Sequence, residues 1–82
     1  MSFNPTSTLK GAKGTLGVVQ RRLQQKKDSV EARLEKEYSK EKPKESYIEY
    51  LKTAIYALSD IQIKVTQAMV ETEEWIAEIK DK

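Results

Sequence analysis

Cysteine and histidine are both missing from this chain of 82 residues. Without cysteine no disulfide can form, and without either residue a zinc site of the usual ligand kind has nothing to be built from. The commonest general base in catalysis is missing along with histidine. Long apolar runs are missing too: none approaches the ~20 residues that cross a bilayer. The first residues, MSFNPTSTLK, lack the charged-then-apolar pattern of an export signal. These absences predict a non-enzymatic, cytoplasmic protein with no membrane span, no cofactor and no metal.

Glycine and proline are scarce, at 3 and 2 residues, so the few that occur carry weight as punctuation. Asn4-Pro5 reads as an N-cap followed by proline at the first helical position, where a missing N–H is harmless. Pro43, inside SKEKPKES, is the one break in mid-chain and marks a turn. The expected organisation is a single domain: an N-terminal arm and cap over 1–8, a first helix over 9–41, a turn over 42–45 and a second helix over 46–80.

What is abundant is helical periodicity. In the first half Leu9, Ala12, Leu16, Val19, Leu23, Val30, Leu34 and Tyr38 recur at three and four, with Lys26 and Lys27 filling the gap. In the second half Ile48, Leu51, Ile55, Leu58, Gln62, Val65, Met69, Thr72, Ile76 and Ile79 form a heptad seam with two polar members. A second column (Tyr47, Ala54, Ile61, Ala68, Trp75) lies beside it, and a weaker third (Tyr56, Ile63, Val70, Ala77) lies on the other flank. The apolar arc of the second helix is therefore wider than the ~100° stripe of an ordinary surface helix, and one neighbour cannot cover it.

A short turn makes long helices antiparallel neighbours, and position i then lies opposite about 84 minus i, counting from the expected turn. This register sets Gly11, Gly14 and Gly17 near Trp75, Thr72 and Met69, so the glycines are expected to admit the indole and a close helix approach. It also sets the basic first 27 residues, which hold six bases and no acid, beside the acidic end; from Asp28 onward 9 bases face 13 acids. Trp75 and Tyr47 are expected in the core.

The fold class expected is all-α, an antiparallel two-helix hairpin of coiled-coil type that completes a four-helix bundle by dimerisation. So small a chain buries little on its own, and with disulfides excluded the remaining staple is association. The expected function is protein–protein interaction, as an assembly, adaptor or small chaperone-like module acting through the apolar face of the second helix. Tyr50, Tyr56, Ile63 and Val70 are the candidate contacts to a partner, either another copy in a homodimer or higher oligomer, or a larger helical protein. The alternative is a nucleic-acid-binding hairpin that tracks phosphates with Arg21, Arg22, Lys26 and Lys27. Near-neutral overall charge and the lack of aromatic residues from 4 to 37 weigh against it.

Overall fold

The computed structural model describes residues 4–80 and contains two helices, α1 (Pro5–Tyr38) and α2 (Glu45–Lys80). They pack side by side as an antiparallel hairpin measuring 63 × 19 × 14 Å.

Asn4 is the N-cap of α1: it has extended backbone, its side chain accepts from the Ser7 N–H at 3.2 Å, and Pro5 takes the first helical position. The helix thus starts earlier than residue 9, and the expected arm is helical from Pro5; its first three residues lie outside the described ones. At the other end α1 stops at Tyr38 rather than 41. Ser39 caps it, its N–H reaching the Glu35 carbonyl at 3.2 Å.

The turn between the helices contains no residue with positive φ, as suits a connection without glycine. Pro43 precedes α2 rather than entering its first turn. The carbonyl of Lys44 accepts the first bond of that helix, from the Ile48 N–H at 3.0 Å. Lys44 has no short polar side chain to cap the helix, and Glu37 supplies a carboxylate from the neighbouring helix. Its Oε1 accepts from the Lys44 N–H at 3.1 Å, and its Oε2 pairs with the Lys40 ammonium at 2.8 Å. Glu37 is only 2% exposed. The Lys40 side chain and the Lys44 N–H hold its carboxyl below the usual range, against the opposing effect of burial.

Along α2 every member of the seam from Ile48 to Ile79 is covered or partly covered by α1. The facing row of α1 is Leu9, Lys13, Leu16, Gln20, Leu23, Lys27, Val30, Leu34 and Glu37, all buried or half-buried. Two expected members of that row, Ala12 and Tyr38, are instead exposed, because the seam steps through polar Lys13 and Glu37 beside them.

Two helices enclose little. Among the described residues only four apolar ones are buried, Val30, Ile48, Leu51 and Ile76. The molecule exposes 6,499 Å², whereas a compact monomer of 9.4 kDa would expose about 5,000 Å². No helix among the described residues is long and apolar enough to cross a membrane.

Candidate interaction surface

The middle of the seam is polar. Gln20 donates from Nε2 to the Gln62 carbonyl at 3.1 Å and to the Thr66 hydroxyl at 2.6 Å. The Gln62 amide donates to Gln24 Oε1 at 2.9 Å, and Lys27 Nζ reaches Gln62 Oε1 at 3.5 Å. Gln20 Oε1 is buried beside this cluster without a hydrogen-bond partner. The two polar members of the α2 seam thus differ: Gln62 bonds across the hairpin, while the Thr72 hydroxyl turns back to the Ala68 carbonyl at 2.7 Å. Beside this cluster runs an open groove of 720 Å³, with Gln20, Arg21 and Gln24 on one wall and Ser59, Ile63 and Thr66 on the other.

The seam divides the hairpin into two flanks. With about 100° per residue, a side chain one step after a seam position falls on one side and a side chain one step before it falls on the other. The groove identifies the trailing flank, since Arg21 follows Gln20 and Ile63 follows Gln62. A depression lined by Lys40, Tyr47 and Tyr50 identifies the leading flank, since Tyr47 precedes Ile48 and Tyr50 precedes Leu51.

This division sorts the candidate partner residues. Tyr56, Ile63 and Val70, spaced by seven, share the trailing flank and are 74%, 58% and 48% exposed. Tyr50 is also exposed but belongs to the leading flank, stacked on Tyr47 with ring centroids 6.3 Å apart. A six-residue step from Tyr50 to Tyr56 rotates the side chain off the column, so the four do not form one patch. Tyr47 and Trp75, expected in the core, are exposed with Ile61 on the leading flank, Trp75 at 50%. The single neighbouring helix covers the seam and leaves both in part open to water.

The four bases proposed for phosphate contact separate in the same way. Arg21 lies on the trailing flank, Lys27 sits half-buried in the seam against Gln62, and Arg22 and Lys26 lie on the leading flank.

The glycines do not receive the indole. A Cβ built on Gly11, Gly14 or Gly17 would meet nothing within 4 Å. Gly14 and Gly17 fall one step past the seam and Gly11 faces outward, so α2 is not drawn in by their small size. The register expected for the charged ends does hold at one point, since Lys13 pairs with Glu73 across the hairpin. Lys52–Glu49 and Lys64–Asp60 are pairs within α2. Among the described residues no group of three acidic side chains converges to hold a metal ion.

Compared with known protein families, with curated proteins and with solved structures, the chain matches none of them.

Proposed function

We propose that the hairpin is a non-enzymatic protein–protein interaction module, an assembly, adaptor or small chaperone-like element that completes its core with a further chain. The simplest form is a second copy, giving four helices. The observation that carries this reading is the pair of apolar columns left open on α2, above all Tyr56, Ile63 and Val70 along one flank. Isolated apolar residues on a surface need no explanation, but columns repeating at seven along a helix are the pattern with which helices dock on one another.

The test is the double substitution Ile63→Glu with Val70→Glu. Charges without partners in a desolvated contact are costly. The doubly substituted chain is expected to lose its partner, dropping to the mass of one chain in light scattering after size exclusion while retaining its helix content. An unchanged assembly would place the contact elsewhere. The nucleic-acid reading gains less support, because Arg21, Arg22, Lys26 and Lys27 are spread over two flanks and the seam and offer no single face to a phosphate backbone.

A further inference from the structure

The charges of α1 are sorted by flank. From Arg22 to Lys36 the leading positions hold Arg22, Lys26, Ser29, Arg33 and Lys36, four bases with no acid. The trailing positions over the same stretch hold Gln24, Asp28, Glu31 and Glu35, three acids with no base. This arrangement does not serve the helix itself. Arg22/Lys26, Asp28/Glu31, Glu31/Glu35 and Arg33/Lys36 are like charges at spacings of three and four, where opposite charges support a helix and like charges oppose it by a few tenths of a kcal/mol. None of these seven charged side chains forms an ion pair among the described residues; Asp28 accepts only from Gln24, at 2.8 Å.

The sorting extends to shape on α2. The trailing flank carries Tyr56, Ile63 and Val70, which are large; the leading flank carries Ala54 and Ala57 at the height of Tyr56, Ile61 and Lys64 at the height of Ile63, and Ala68 and Glu71 at the height of Val70. Each flank is thus the counterpart of the other in charge along α1, at nearly equal height along the long axis, and in relief at Tyr56 on α2, while Ile63 stands level with apolar Ile61.

We propose that the partner is a second copy of this chain and that copies stack side by side in register, the trailing flank of one on the leading flank of the next. This rests on the reading of the hairpin as an interaction module and replaces a two-fold pairing with a head-to-tail one. Asp28, Glu31 and Glu35 of one copy meet Lys26, Arg33 and Lys36 of its neighbour, Tyr56 settles against Ala54 and Ala57, and Val70 against Ala68. Two like-charged meetings remain: Arg21 near Arg22 at the basic end of α1, with Gln24 and Asp28 beside it, and Glu71 near Glu73 on α2, where Lys13 of the same copy pairs with Glu73. Such a contact is heterologous, so each added copy leaves one flank of each kind open and the assembly does not stop at two.

The experiment reverses one row at a time in the full chain. Arg33→Glu with Lys36→Glu makes both flanks acidic over residues 31–36, and Glu31→Lys with Glu35→Lys makes both basic over that stretch. Each doubly substituted chain alone is expected to associate at least tenfold more weakly by sedimentation velocity at low salt. An equimolar mixture of the two, and a single chain carrying all four substitutions, are expected to recover association because opposite rows meet again. Wild-type mass is expected to keep rising with concentration past two copies and to fall as salt is added.

Row reversals without effect, beside loss of association in the Ile63→Glu, Val70→Glu chain, would overturn the stack and leave the apolar contact standing. A wild-type mass that halts at two copies would replace the stack with a closed dimer. A wild-type chain that stays single, yet binds a mixed-sequence duplex through Arg33 and Lys36, would overturn self-association and assign the basic row to nucleic acid.

Discussion

Glu37 is the residue on which the turn depends. It takes the part that the glutamate of a capping box plays, accepting from the N–H of the residue before α2, and it does so from the other helix. Its carboxyl is lowered in the folded chain, first by the Lys40 side chain and next by the Lys44 N–H. A lowered carboxyl adds stability above the ordinary carboxylate range, and that stability disappears as pH falls through the lowered value. Glu37→Gln keeps the shape and removes the charge. Thermal melts should show the wild type ahead of Glu37→Gln at neutral pH, with the gap narrowing below the ordinary carboxylate range and closing in stronger acid. A gap that is constant from neutral pH into strong acid would mean that the ionised form contributes nothing.

Glu37 also marks what apolar periodicity overlooks. The seam of α1 passes through Lys13, Gln20, Lys27 and Glu37, so a search for apolar side chains steps sideways to Ala12 and Tyr38 or finds a gap at Lys26 and Lys27. Long polar side chains can occupy such positions because their stems cover apolar surface while their ends reach Glu73, Gln62 or Lys44.

At the level of the helix, α2 was legible at every seam position from Ile48 to Ile79, because its inward row is almost wholly apolar and three-and-four spacing has one solution there. The division of the flanks was not. It becomes visible only when the seam of α1 is fixed, since moving that row by one residue exchanges leading for trailing positions and scatters the sorted charges. The candidate residues Tyr56, Ile63 and Val70 are legible as a column; Tyr50 joins them in the sequence only as a tyrosine outside the seam.

The α1 glycines give a prediction at this same level. A methyl at Gly11 or Gly14 meets open space on a helical backbone, and alanine in a helix interior is favoured over glycine by roughly 0.5 to 1 kcal/mol. Gly11→Ala should therefore raise the free energy of unfolding by an amount of that order, read as a higher midpoint in thermal or urea unfolding. A loss of stability instead would show that the first turns of α1 make a contact that an added methyl disturbs.

The whole molecule is a plate 14 Å thick with no interior beyond a single seam. Among the described residues nine large apolar side chains lie exposed outside that seam. One of them is the sole tryptophan, Trp75, on the flank that also carries Ile61 and Lys40. An indole half in water emits at longer wavelength than one enclosed by apolar groups, and it is open to collisional quenching. The chain therefore carries its own optical reporter on the flank expected to be covered. Dilution should shift its fluorescence to the red and make acrylamide a better quencher, without any attached dye. Emission that is identical across the range where the mass changes would mean that Trp75 keeps its water in the assembled state.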